Sequence, residues 1–154
     1  MPHFLSMVMT GLKNEEAETA FSNVNIVNFN YDRTIEHFLY TALQATFGLS
    51  ESRAKHIVNG LNMFRPYGTV GPLPWQNKSS FSFGGGAAGV GLCTASRNIL
   101  TFSEGVTEKV QQQIQLALER SRATVFIGFG FHPHNMKLLR VRNAEPWRAR
   151  ICYG

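Results

Sequence analysis

The residues best suited to chemistry in this chain are Asn30 and Asp32, which flank Tyr31 at the end of an apolar run. A carboxylate can stabilise developing positive charge or orient a sugar hydroxyl, and an amide can position a water molecule or hydroxyl group. If the chain stays extended here, both side chains project to the same side, because alternate residues share a face. Asn30 and Asp32 are therefore candidate catalytic residues.

The sequence around this pair is typical of a strand followed by a helix. Val24, Ile26 and Val27 favour a buried strand over residues 24–30. The apolar residues of 34–47 have helical spacing, and Gly48 is the expected stop. Ligands bind at the carboxyl ends of strands in open α/β sheets, which favours a functional pair. The alternative is structural, with Asp32 capping the helix that follows.

Helical and extended patterns alternate along the rest of the chain. Helices are predicted over 14–21, 34–47, 50–59, 107–122 and 133–140, and strands over 24–30, 61–65, 98–102, 124–129 and 151–153. Alternation of this kind predicts an α/β fold, a three-layer Rossmann-like parallel sheet with helices on both faces. The length of 154 residues predicts a single domain over 1–154.

Composition narrows the class of protein. With 44% hydrophobic and 16% charged residues, the chain can bury a core and is not expected to be disordered. Its apolar runs fall far short of the ~20 residues that span a bilayer, so we expect no membrane association. The N-terminus lacks a signal-peptide pattern, and Cys93 and Cys152 are expected to be reduced thiols. These features predict a cytoplasmic location.

The net charge of +5 is concentrated late in the chain. Residues 137–150 contain five basic residues against one acid, Glu145. Such a stretch can attract phosphates but is more often a solvated face. Only Trp147 accompanies it as an aromatic, so we do not expect nucleic-acid binding.

An irregular Gly- and Pro-rich loop is predicted over about 71–97. Gly84, Gly86 and Gly89 formally spell G-x-G-x-x-G, with Glu104 about 20 residues later. That fingerprint needs an amphipathic helix after it, and residues 90–97 are expected to be a poor helix. We therefore favour a surface loop or hairpin, with a phosphate cradle as the alternative.

Zinc ligation by His132 and His134 with either cysteine would lack the usual paired C-x-x-C spacing, so no metal site is predicted.

Three segments together resemble the sirtuin-like domains, the NAD-binding relatives of the silent-information regulators. In that family an apolar strand runs into Asn-x-Asp, a His-Gly pair follows a second strand, and a late strand ends in a small-residue motif at the cofactor's ribose. The likeness extends from about residue 14 to 153. The matching positions here are Asn30 and Asp32, Tyr67 and Gly68, and Gly128, Phe129 and Gly130.

The resemblance implies NAD as cofactor and cleavage of its nicotinamide–ribose bond, by hydrolysis or ADP-ribosyl transfer. It implies that Asn30, Asp32 and Tyr67 are catalytic. It also implies that Gly68, Gly128, Phe129 and Gly130 contact the cofactor. Tyr67 stands where the family has histidine. A histidine with a pKa near 6.5 can accept a proton at neutral pH, whereas a tyrosine near 10 mostly forms hydrogen bonds, which argues against deacylase chemistry.

One departure from the family concerns the phosphates. Family members begin with a strand and a glycine loop that holds the pyrophosphate, and no such loop precedes Asn30. This predicts the C-terminal portion of a domain that binds NAD weakly or not at all by itself. The alternatives are a non-catalytic nucleotide-binding module, a module that binds a protein partner or oligomerises, and a truncated inactive remnant.

Overall fold

The computed structural model describes residues 2–78, 80–85, 90–100, 105–140 and 149–153. The chain divides into two compact units, Met1–Gly105 and Val106–Gly154. Assignment of 1–154 to one sirtuin-like domain stays a prediction. The helices are α1 (Pro2–Met9), a 3-10 helix (Asn14–Thr19), α2 (Thr34–Phe47), α3 (Glu51–Asn59), α4 (Val90–Arg97), α5 (Glu108–Arg120) and α6 (Pro133–Leu138); the strands are β1 (Asn25–Val27), β2 (Asn62–Phe64), β3 (Ala123–Ile127) and β4 (Ala149–Tyr153).

In the first unit, β1 and β2 form a parallel pair. The register runs from Asn25 opposite Asn62 to Val27 opposite Phe64. Parallel strands need a crossover connection, which α2 and α3 supply here. The predicted α/β class with parallel strand pairing is therefore confirmed.

The core of the first unit lies between its helices. Leu39 and Leu43, one turn apart on α2, are fully buried, as the predicted apolar stripe requires. They belong to one cluster with apolar residues of α1, the 3-10 helix and α3. The other buried members of this cluster are Leu5, Met9, Ala17, Phe21, Leu49, Ala54, Ile57 and Val58.

Local sequence signals determine where α2 ends and where α3 begins, as predicted. Gly48 adopts the left-handed conformation at φ 61°, and its N–H donates to the carbonyls of Leu43 and Gln44. Ser50 begins α3, and its hydroxyl accepts from the Arg53 N–H at 3.3 Å. Both sets of hydrogen bonds join residues about one helical turn apart, so the sequence alone predicts them.

Two elements of the first unit differ from the sequence-based expectation. β1 ends at Val27 rather than residue 30, because the Asn28 side chain accepts the Asn30 N–H at 3.0 Å and turns the chain. The expectation that residues 90–97 would be a poor helix is wrong, since Val90–Arg97 form α4. Ala95 of α4 is buried, so packing supplies the stability that propensity does not predict.

A short strand was also expected over 98–102. Within residues 98–100, the strand-like pairing is limited to an isolated antiparallel bridge from Ile99 to Gly68. Residues 101–102 lie outside the described ranges.

In the second unit, β3 and β4 pair in parallel, from Ala123 opposite Ala149 to Ile127 opposite Tyr153. The predicted α5 begins after Thr107, whose hydroxyl accepts from the Val110 N–H at 3.5 Å. Ile114 of α5 and Leu138 of α6 are buried. Each predicted element of this unit is present with shifted ends.

Among the described residues, no helix combines the length and apolar character needed to cross a membrane.

Gly68 lies where two backbone segments approach closely. The Thr69 N–H donates to the Asn98 carbonyl at 3.2 Å, and the Leu100 N–H donates to the Tyr67 carbonyl at 2.9 Å. Gly68 has φ +77°, and a Cβ there would overlap the Asn98 carbonyl oxygen. Only glycine fits this position without moving the backbone.

Gly68→Ala is expected to destabilise the protein far more than Gly48→Ala. Gly48 is also left-handed, but a Cβ there meets nothing within 4 Å. Gly48→Ala should therefore lower the free energy of unfolding by about 1 kcal/mol. Gly68→Ala adds a steric overlap and should cost about 2 kcal/mol more. Urea denaturation of both variants measures the difference, and equal losses would contradict the close approach.

Candidate functional site

A pocket of about 500 Å³ lies at the carboxyl ends of β1 and β2. Because the strands are parallel, the loops that follow them leave from the same end. The pocket is lined by residues 29–33 after β1, Val70 after β2, residues 81 and 83–85, and Ile99. Asn30 and Asp32 therefore line one pocket together with Gly84 and Gly85.

Asp32 also stabilises the start of α2. Its Oδ1 accepts the Thr34 N–H at 2.9 Å, although Arg33 rather than Asp32 is the N-cap residue. This satisfies one of the backbone donors that the first turn leaves unpaired. The bond engages one carboxylate oxygen of an exposed side chain, so helix stabilisation and ligand contact are compatible.

Arg65 fixes the loop that carries Asn30 and Asp32. Its Nη1 donates to the carbonyl oxygens of both residues, each at 2.9 Å. Its Nη2 contacts both Glu36 carboxylate oxygens at 2.6 and 2.8 Å. The two side chains are only 12% and 14% exposed. A charge-assisted pair of this kind is strong and directional, so it sets the loop geometry.

Arg33 fixes the part of the pocket wall that contains Phe81. The residue is 4% exposed, and its guanidinium donates to the carbonyls of Pro72 (2.8 Å), Phe81 (2.8 Å) and Ser82 (3.1 Å). It also lies 4.4 Å from the centre of the Phe81 ring. Burial lowers the pKa of this guanidinium, while the Glu36 carboxylate opposes that shift. Carbonyl dipoles compensate a buried charge that would otherwise be costly.

A second aromatic contact holds residues 81–85 in place. The His37 and Phe83 rings stack at 4.0 Å with an interplanar angle of 10°. Arg33 and His37 are four residues apart at the start of α2, and the His37 N–H donates to the Arg33 carbonyl at 3.0 Å. Residues 81–85 are therefore attached to α2 at two points, through Phe81 and Phe83.

Tyr67, the third predicted catalytic residue, lies outside the pocket lining. It is 3% exposed, and its ring packs against Phe29 with centroids 6.1 Å apart. Burial raises the pKa of its hydroxyl, with a smaller contribution from Tyr31. Its hydroxyl therefore stays protonated at neutral pH, which suits packing better than proton abstraction.

The predicted cofactor-binding residues divide between the units. Gly68 has a structural reason to be glycine, given above. Gly128, Phe129 and Gly130 follow β3 in the second unit, where Phe129 contacts Phe126 and Phe131 at centroid distances of 5.3 and 5.1 Å. A Cβ at either glycine would meet nothing within 4 Å, so close packing does not explain them. Their role in cofactor binding stays a prediction.

Sequence reasoning missed Arg33, Arg65 and Phe81 as residues that shape the site. Arg33 and Phe81 are separated by 48 residues, and Arg65 reaches Asn30 across 35. Periodicity reports on neighbours within one element and carries no information about such pairs. The one available signal was position, since Arg65 immediately follows β2.

No three His, Cys, Asp or Glu side chains within the described residues are grouped so as to hold a metal ion.

Comparison of the chain with protein-family models, with curated proteins and with solved structures finds no match. The resemblance to sirtuin-like domains therefore rests on the sequence segments quoted above. The other support for a function is the geometry of the pocket.

Arg65 and Glu36 are expected to be energetically coupled. A double-mutant cycle of Arg65→Met and Glu36→Gln, measured by urea denaturation, should give a coupling energy of about 2 kcal/mol, because the pair is mostly buried.

The matched control is the pair Arg53 and Glu18, at 2.9 Å but 38% and 45% exposed. Arg53→Met with Glu18→Gln should couple by less than about 1 kcal/mol. A coupling at Arg65 no larger than at Arg53 would show that the Arg65–Glu36 pair is not a strong buried interaction.

Proposed function

We propose that the pocket binds NAD and that the chain is a sirtuin-like, NAD-consuming domain acting on the nicotinamide–ribose bond. One observation carries the proposal. Asn30 and Asp32 line a single pocket with Gly84 and Gly85, at the carboxyl end of a parallel strand pair. Nucleotides bind at such strand ends in open α/β sheets.

The proposed chemistry follows from the charge that develops when the bond breaks. Cleavage passes through an oxocarbenium-like sugar that carries positive charge. The Asp32 carboxylate stabilises that charge or orients the ribose, and the Asn30 amide orients the attacking oxygen. The bonds from Arg65 support this assignment because they hold the backbone of both residues in place.

Gly84 and Gly85 are the proposed contacts for the phosphates of NAD, because both line the pocket. A glycine backbone can approach phosphate oxygens closely because it carries no side chain. Arg33 does not take this role, since its guanidinium is occupied by three carbonyls. With this cradle in place we expect saturable NAD binding, whereas the sequence pattern by itself predicts weak or no binding.

Several finer assignments belong to this proposal. They are a three-layer Rossmann-like sheet, a cytoplasmic location and a cofactor contact from Gly68.

The second candidate is a non-catalytic nucleotide-binding module. The Asp32–Thr34 bond favours it, because stabilisation of the backbone at the start of α2 alone accounts for an aspartate at this position. The wild-type protein, Asn30→Ala and Asp32→Asn would then all fail to release nicotinamide.

Asp32→Asn is expected to weaken NAD binding at least about tenfold without destabilising the fold. Asparagine caps a helix about as well as aspartate, so the free energy of unfolding should change by less than about 0.5 kcal/mol. Loss of the carboxylate removes a charge-assisted contact, which is typically worth about 1.5–3 kcal/mol. Calorimetric titration measures the affinity.

Glu15→Gln is the control for this titration, because Glu15 is an exposed carboxylate outside the pocket. Its affinity for NAD should equal that of the wild type. Absence of NAD binding by the wild-type protein would overturn the proposed function.

Nicotinamide release should depend on Asp32 and Asn30 far more than on Tyr67. Asp32→Asn and Asn30→Ala should each slow it about a hundredfold. Tyr67→Phe removes one buried hydroxyl outside the pocket and should cost about 1 kcal/mol, roughly fivefold. Circular dichroism checks that each variant is folded. Large and equal losses in all three would make Tyr67 a catalytic acid or base.

A further inference from the structure

Aromatic rings dominate the wall of the pocket. Phe29, Tyr31, Phe81 and Phe83 all line it, and Phe83 is 41% exposed. The face of an aromatic ring carries negative charge density and attracts cations within about 6 Å. The wall already holds one cation in this way, since the Arg33 guanidinium lies 4.4 Å from the Phe81 ring centre.

Four charged side chains of the described residues line the pocket or support it, and they differ in accessibility. They are two arginines, Arg33 and Arg65, and two carboxylates, Glu36 and Asp32. Arg33 is 4% exposed and bonded to three carbonyls, while Arg65 and Glu36 are paired with each other. Asp32 is the exposed member of the four. The charge that a ligand meets is therefore negative.

We infer that this pocket selects an organic cation, such as a quaternary ammonium or a cationic heteroaromatic ring, over a neutral group of the same shape. Asp32 supplies the opposite charge, and the exposed Phe83 supplies the ring face that is not stacked on His37. The inference rests on the proposed function only in taking this pocket as the ligand site. It does not require that the ligand be NAD or that a reaction occur.

Choline and its uncharged isostere 3,3-dimethylbutan-1-ol are the probes, titrated into the full chain and followed by NMR or calorimetry. Choline should bind at least about tenfold more tightly, as expected for a cation between aromatic faces and a carboxylate. Equal affinities, or no binding of either probe, would overturn the inference.

Two variants localise the preference. Asp32→Asn keeps an acceptor for the Thr34 N–H and should reduce the ratio of the two affinities to about threefold or less. Phe83→Leu keeps an apolar group without a ring face and should lower choline affinity while leaving the isostere unchanged. Glu15→Gln should preserve the full ratio. A preference that survives both pocket variants would place the cation elsewhere and overturn the inference.

Titration of the same protein with NAD separates the two proposals. Choline selectivity without NAD binding supports the cation pocket and rejects the proposed function. NAD binding without choline selectivity supports the proposed function and rejects the cation pocket.

Discussion

The architecture of the pocket depends on the guanidinium of Arg65. Placed directly after β2, it bonds the carbonyls of Asn30 and Asp32 with one nitrogen and both oxygens of Glu36 with the other. One side chain therefore connects the end of β2, the loop after β1 and the first turn of α2. Since the group is mostly buried and every contact is charge-assisted, the loop has little freedom to adopt another shape.

Arg33 is also a buried charge, but it is stabilised in a different way. It forms no salt bridge within the described part of the chain; three backbone carbonyls and an aromatic face surround it. Those carbonyls belong to residues 72, 81 and 82, none of which is part of a helix or strand. A buried polar group must be satisfied, and satisfying Arg33 gives this irregular segment a fixed position. The wall of the pocket is thereby built from residues that have no repetitive structure of their own.

Asp32 combines two roles that are often treated as alternatives. One carboxylate oxygen stabilises the start of α2, and the exposed group also lines the pocket. Helix stabilisation holds the carboxylate in place, and this pre-organisation is what a group acting on developing charge needs. Tyr67 illustrates the opposite case: sequence position suggested chemistry, but its burial against Phe29 favours packing.

The sequence by itself determined the elements whose causes are local. The apolar stripe of α2, the left-handed Gly48, the Ser50 cap and the placement of Asn30 and Asp32 after a strand all follow from residues within a few turns. Tertiary structure decided what depends on distant partners. α4 forms with Ala95 buried, Gly68 is required by the carbonyl of Asn98, and Arg33 and Arg65 find their acceptors across 29 to 49 residues. Periodicity encodes which face of an element is apolar, but not which distant backbone that face will meet.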